Sequence, residues 1–356
     1  MTGLARRPRG ASETGPRPAD EPTDREQHDR GDRRDQREGP EARTREQHRD
    51  ADDSPASGGR RPCDTAAMTG DLRSRIDAAL MSFLDERLHD VQQDEPAAQP
   101  LVEEIRRFAE AGGKRLRPAF CYWGYRAAGG ADRESSGEPI VRAAAALELL
   151  HTMALVHDDL IDGAKERRGV PATATWFADR AEELEARGEP GAFGEAIALL
   201  VGDLAAVLAD RLLLEAGFPA DALVRALAVY HPMREDMAIG QYLGLSGSGA
   251  AVGGAGNARR AAARKGGRYT VEGPLLIGVA LAGDQRSVGE CLSRFGRPLG
   301  EAFQLRDDLE DGDAASGVSE EAVNRLVAEA KASLDPDVVP SAAFAALHDL
   351  ADRVAM

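Results

Sequence analysis

Six aspartates in two short runs are the residues of this chain best suited to chemistry. His151-Thr-Met-Ala-Leu-Val-His157-Asp158-Asp159-Leu160-Ile161-Asp162 carries three of them at the end of a long apolar stretch. Phe303-Gln304-Leu305-Arg306-Asp307-Asp308-Leu309-Glu310-Asp311 repeats the Asp-Asp-x-x-Asp spacing, again after an apolar helical pattern. On a helix, residues four apart differ by about 40° around the axis and ~6 Å along it. Asp158 and Asp162 therefore share a face, with His151 two turns earlier on nearly the same face. Gln304, Asp307, Asp308 and Asp311 form one stripe. Carboxylates on adjacent turns suit a hard divalent cation, Mg2+ above all, which takes oxygen ligands and shares its shell with substrate phosphates. One run alone reads equally well as a solvated acidic helix end. Two runs facing each other would repel unless cations lie between them.

The basic counterpart lies in three places. Gly-Gly-Lys-Arg-Leu-Arg-Pro at 112–118 sets Lys114 and Arg117 one turn apart near a helix start. Arg167-Arg168-Gly169 follows the first aspartate run by five residues. Lys265 stands in Arg-Lys-Gly-Gly-Arg-Tyr-Thr, ahead of another apolar stretch. Arginine forks and lysine point charges are the natural grips for a diphosphate. Any one of these is equally a surface charge, and Lys265 alone reads best that way. Yet the chain has only four lysines, Lys114, Lys165, Lys265 and Lys331, and two of them fall in candidate phosphate motifs.

These groups need helices to position them. Leu72, Ile76, Ala79, Leu80, Phe83 and Leu84 recur at helical spacing, as do Leu101, Val102, Ile105 and Phe108. Residues 140–156 are apolar nearly all round, the mark of a central buried helix. Residues 196–216, 222–243, 271–282 and 299–309 supply further core helices, and 319–334 an amphipathic one. Strand-like alternation bounded by turns is missing. The Gly/Ala/Ser-rich stretches 129–138 and 244–257 read as loops. The expected fold is all-α, a many-helix bundle.

Composition sharpens the boundaries. The 356 residues carry 45 Lys+Arg against 61 Asp+Glu, a net charge of −16. Residues 1–67 hold 14 Arg and 15 Asp+Glu, with no Val, Ile, Phe, Trp or Tyr. Such a segment cannot bury enough apolar area to offset its ordering entropy, so a disordered low-complexity tail is expected there, and the folded domain over 68–356. Met68 opens a second Met-Thr-Gly, a candidate alternative start that mass spectrometry of the native N-terminus would test. No run of about 18 apolar residues marks a transmembrane helix, and no signal-peptide core opens the chain. Cys63, Cys121 and Cys291 lack metal-ligand spacing and read as free thiols of a reducing compartment. A cytoplasmic location is expected, with no membrane span. The acidic balance argues against nucleic acid as a partner.

Taken in order, the Gly-Gly-Lys-Arg-Leu-Arg-Pro string, the His-x6-Asp-Asp-x-x-Asp-x4-Arg-Arg-Gly run and the Phe-Gln-Leu-x-Asp-Asp-x-x-Asp run resemble a trans-isoprenyl diphosphate synthase of the polyprenyl synthetase family, over about residues 75–312. The resemblance implies an all-α bundle around a deep central cavity, a homodimer, and three Mg2+ ions held by Asp158, Asp162, Asp307 and Asp311. Asp159 and Asp308 complete the two motifs. By the same resemblance, isopentenyl diphosphate is held by Lys114, Arg117, His151 and Arg168. An allylic diphosphate is held by Arg167 and Lys265, with Gln304 nearby. The product is a longer linear trans-prenyl diphosphate. Met153 and Ala154, five and four residues before Asp158, are not aromatic, and in this family that points to a product such as geranylgeranyl diphosphate.

Three departures from the family pattern stand out. Lys265 is followed by Gly266, not by Ser or Thr. Gly240-Gln241-Tyr242-Leu243-Gly244 lacks the aspartate of a Gly-Gln-x-x-Asp pattern. After Asp311 the chain passes almost directly to a C-terminal helix, without the Gly-Asp-Pro, Thr-Gly-Lys and Gly-Lys-x-Thr segments. These losses leave open a weak or inactive homologue acting as partner subunit of an active synthase. A class I terpene cyclase shares the first aspartate run but lacks the Lys114/Arg117 pair.

Overall fold

The computed structural model describes residues 62–131, 138–167, 169–246, 263–310 and 319–355, with side chains from residue 71 onward and, in the 263–272 segment, from Gly267 onward. The expected tail over 1–61, most of the 129–138 and 244–257 loops, and the segment around Asp311 lie outside the described residues. All described residues belong to one compact unit, residues 59–356.

Eleven α-helices form that unit among the described residues. They are α1 (Pro62–Asp94), α2 (Gln99–Glu110), α3 (Leu116–Ala127), α4 (Pro139–Asp162), α5 (Thr173–Ala178), α6 (Pro190–Leu214), α7 (Ala220–Leu245), α8 (Gly273–Ala282), α9 (Arg286–Glu310), α10 (Glu320–Ser333) and α11 (Ser341–Ala355). A wide π-helical segment, Ala263–Glu272, runs directly into α8. The only strands described are two-residue ones, β1 (Glu166–Arg167) and β2 (Val170–Pro171), paired antiparallel behind α4. The all-α expectation therefore holds. Helix α1 starts at Pro62, inside the span expected to be tail.

Local sequence explains the boundaries. Helix α4 opens on Pro139, whose fixed φ suits a first turn, and ends at Gly163, left-handed at φ 65°. Ser319 caps α10 by accepting from the Ala322 amide at 3.2 Å, and Glu320 and Glu321 fill its first turn. Helix α4 is long and apolar enough to cross a membrane by composition, but 67% of that window is buried inside the protein. It packs mainly against α1, α2, α3 and α6, and also touches α5 and α8.

Two seams of glycine bring backbones together. A Cβ on Gly124 of α3 would sit 2.2 Å from the Leu275 carbonyl oxygen, and one on Gly278 of α8 would sit 2.0 Å from that of Cys121. Across the other seam, a Cβ on Gly300 of α9 would lie 2.3 Å from the Gly267 carbonyl oxygen. Only glycine permits such approach. The second seam fixes α9, which carries Gln304 and Asp307, against the segment that carries Lys265.

Candidate active site

Between α4, α7, α9 and the π-helical segment lies a cavity of about 900 Å³, within the range of small-molecule sites. Asp158 from α4 and Asp307 from α9 both line it, as do Arg117, His151 and Gln304. Five residues singled out in the sequence, from three separate motifs, thus meet in one chamber. Its wall is otherwise largely apolar, with Met153, Ala154, Leu155, Met237, Ala238 and Phe303.

Each acid has its own surroundings. The amide nitrogen of Gln241 donates to Asp158 at 2.9 Å, fixing that carboxylate at the end of its helix. Asp159 is buried and grips Arg167, whose Nε lies 2.9 and 2.8 Å from the two carboxylate oxygens and whose Nη2 lies 2.5 Å from Oδ1. Arg167 binds its proton more tightly than a free arginine, first through the hydrogen bond to Asp159, against burial, and then through the charges of Asp159, Asp158 and Asp162. Asp162 is exposed at the last turn of α4. On α9, the Gln304 side chain donates to Asp308 at 2.8 Å. Asp311, Arg168 and the side chain of Lys265 lie outside the described residues.

The basic loop divides its work. Arg117 reaches the cavity, donates to the Thr270 hydroxyl at 2.9 Å, and lies 4.4 Å from the ring centre of Tyr269. His151 tilts against the same ring, 6.2 Å between centroids. Tyr269 is fully enclosed, and burial holds its phenol well above the usual range. Lys114 is exposed, and its carbonyl accepts from Arg353 at 3.3 Å. Arg115 turns inward instead. Its φ of 50° is left-handed, and its guanidinium donates to Asp77 at 2.7 Å, to Glu148 at 2.5 Å and to the Ala109 carbonyl at 2.6 Å. Arg115 thereby ties the Gly-Gly-Lys loop to α1, α2 and the midpoint of α4.

The arginine hairpin is anchored at both ends. Arg167 is held by Asp159, as above. At the other end, the carbonyl of Pro171 accepts from Arg107 at 3.2 Å, and the Thr173 hydroxyl donates to Glu104 at 2.7 Å. Glu104 is itself buried under a two-pronged bond from Arg107, 2.6 Å on each prong.

Sequence reading missed Gln241, Tyr269, Thr270, Arg115 and Glu104 as parts of the site or its supports. Gln241 and the Tyr269-Thr270 pair do stand in quoted motifs, one beside the missing aspartate and the other one helical turn after Lys265. Nothing local in the sequence marks Glu104.

Among the described residues, no three carboxylate, histidine or cysteine side chains converge on one point. Single carboxylates presented from opposite helices fit Mg2+ well. That ion keeps several waters and is bound through one or two carboxylates plus substrate phosphates, not by an all-protein cage.

Comparison with known proteins agrees with this arrangement. Residues 98–334 match the polyprenyl synthetase family. A geranylgeranyl diphosphate synthase of Cyanophora paradoxa is 30% identical over 65% of this chain and 74% of its own length. A (2E,6E)-farnesyl diphosphate synthase of Mycobacterium tuberculosis is 32% identical over 55% of this chain and 48% of its own, so this chain spans about half of that relative. A crystal structure of geranylgeranyl pyrophosphate synthase from Corynebacterium glutamicum, complexed with isoprenyl diphosphate and magnesium, shares the fold. Its TM-score is 0.70 at 26% identity, over 80% of this chain and 98% of that one.

Proposed function

The chain belongs to the polyprenyl synthetase family of prenyltransferases, and on that premise we propose that it condenses isopentenyl diphosphate with an allylic diphosphate into a longer linear trans-prenyl diphosphate. The observation that carries this reading is the meeting of Asp158, Asp307, Arg117, His151 and Gln304 around one apolar cavity. Asp158, Asp162, Asp307 and Asp311 are the residues that would hold Mg2+, three ions by the family resemblance. Bound there, the metal stabilises charge on the departing diphosphate.

The chain's own groups do the rest. Arg117, backed by Tyr269 and Thr270, orients the diphosphate of isopentenyl diphosphate together with Lys114, His151 and Arg168. Arg167, Lys265 and Gln304 hold the allylic diphosphate. Ionisation of the allylic carbon–oxygen bond leaves a carbocation. The double bond of the second substrate attacks it, and a proton then leaves to the released pyrophosphate. Met153, Ala154, Met237 and Phe303 exclude the water that would quench the cation. Met153 and Ala154 leave room for a product such as geranylgeranyl diphosphate.

A homodimer completes the proposal. Leu200, Val207 and Leu214 recur every seven residues on α6 and are 50%, 60% and 51% exposed. Such a stripe on a helix is self-complementary across a twofold axis. Val207→Glu is expected to yield a monomer by sedimentation.

The deciding assay supplies Mg2+, labelled isopentenyl diphosphate and each allylic diphosphate in turn, with product alcohols analysed after dephosphorylation. A linear prenyl alcohol supports the reading. Asp158→Asn should then cut turnover by about 10²-fold or more at unchanged melting temperature; near-normal turnover would refute the metal assignment. The absence of the family's segments after Asp311 favours one second reading, a partner subunit. Silence alone, with activity restored by a homologous synthase, would establish it.

A further inference from the structure

Along α7 the cavity lining runs from Leu245 back to His231, and its far end is not apolar. Arg234 and His231 are the lining residues of α7 farthest from Gln241, which bonds Asp158. Seven residues separate Arg234 from Gln241, so Arg234 lies on nearly the same face and about 10.5 Å further along the helix. Its guanidinium is fixed there. Nη1 donates to the two oxygens of Asp210 on α6 at 2.8 and 3.0 Å, and the group lies 5.2 Å from the ring centre of Tyr230. Tyr230 is fully buried and donates its hydroxyl to the same carboxylate at 2.8 Å. Two residues, Asp210 on α6 and Tyr230 on α7, thus hold the arginine's charge in place at the end of a greasy chamber.

Building on the condensation reading above, we propose that Arg234, held by Asp210, sets the length of the product, by presenting a fixed charge to the growing end of the prenyl chain. A hydrocarbon tail that reaches a charged pair must strip its water without offering any hydrogen bond in return, and that is unfavourable. The tail stops gaining from burial where the apolar lining gives way to Glu235 and Arg234. Growth beyond that point is slower than release. Ala154 and Met153 on the facing helix leave the upper cavity wide, so the limit falls to the lower end. Asp210 is 40% exposed, but unlike Asp77 it is tied by a second bond to the hydroxyl of Tyr230, whose ring is locked in the core, and this keeps it beside Arg234.

The test compares product distributions of the full chain and of Arg234→Met, which keeps the stem's bulk and removes the charge. Both are assayed with Mg2+, labelled isopentenyl diphosphate and each allylic primer, and the product alcohols are separated by chain length. The expected result is a share of products at least one five-carbon unit longer than the wild-type main product that rises by about tenfold, the scale on which one group in an apolar pocket discriminates. Arg234→Lys, which keeps the charge, should retain the wild-type length. Arg234→Gln, which keeps a bond to Asp210 while losing the charge, replaces the methionine variant if that one does not fold, and should also lengthen the product. An unchanged distribution in an active, folded, uncharged variant overturns this inference and leaves the condensation reading standing. A wild-type chain that forms no linear product overturns the condensation reading, and the inference with it.

Discussion

Replacing Arg115 with methionine removes the charge that holds the Gly-Gly-Lys loop to the bundle. The side chains of Arg115 and Glu148 are only 6% and 7% exposed. Burial alone would weaken the arginine's hold on its proton, yet the charges and hydrogen bonds of Glu148 and Asp77 outweigh it and leave that hold above the ordinary value. The methionine variant keeps the apolar stem but strands Glu148 without its cation. Breaking a buried pair from one side costs about 3–5 kcal/mol. At roughly 1.6 °C per kcal/mol for a folded domain of nearly 300 residues, from about 2.1 cal/mol/K of unfolding entropy per residue, the melting temperature should fall by about 5–8 °C. Asp77 is 37% exposed and can turn to water, so it adds little. Thermal unfolding followed by circular dichroism would read the loss in Arg115→Met, Glu148→Gln and the double variant. The double variant should recover part of it, because the stranded charge is gone, giving a coupling of about 1–3 kcal/mol. A single variant melting within 2 °C of wild type, or strictly additive losses, would refute the assignment of Arg115 as the anchor.

Other contacts carry expectations of the same kind. Gly300→Ala drives a Cβ against the Gly267 carbonyl and should cost about 1–3 kcal/mol; displacement of Gln304 and Asp307 should lower turnover about 10²-fold, and wild-type melting with wild-type turnover would contradict the seam. Glu104→Gln weakens the buried knot beneath the arginine hairpin by about 1.5–3 kcal/mol and should raise the KM for diphosphate substrates more than it lowers kcat; an unaltered KM would detach Glu104 from the hairpin. Burial pushes the Cys121 thiol from 9.0 up to about 12. The folded chain therefore keeps a proton that the unfolded chain sheds, and this stabilisation is whole below pH 9 and disappears as the pH climbs toward 12. Denaturant titrations across that window should show a shallower alkaline decline in Cys121→Ala; parallel declines would count against it.

Much of the bundle was legible because its helices are apolar on long, regular stretches. Helix α4 was expected over 140–156 and runs Pro139–Asp162, extended at its end by the very aspartates that give the site away. The site residues that were legible repeat at helical spacing on one element, as Gln304 and Asp307 do. Those that were not are joined across the chain. Gln241 lies 83 residues from the Asp158 it orients, and Arg117 lies 153 residues from Thr270. Arg115 was indistinguishable from its basic neighbours, since only its left-handed backbone turns it inward while Lys114 faces water. The cavity's polar end was hidden for a related reason: Arg234 finds Asp210 on another helix, and no periodicity announces such a pair.

The glycine seams also decide where this molecule is able to breathe. Helices α3 and α8, and α9 with the π-helical segment, meet backbone to backbone, so no side chain can change rotamer to let them part. That half of the chamber should act as an anvil, its amides exchanging with solvent only when the whole fold opens. On the opposite side Arg234 is pinned by Asp210, which is itself bonded to the buried Tyr230, so that wall is held as well. The space open to a lengthening hydrocarbon is therefore set when the chain folds and does not grow with the molecule it holds.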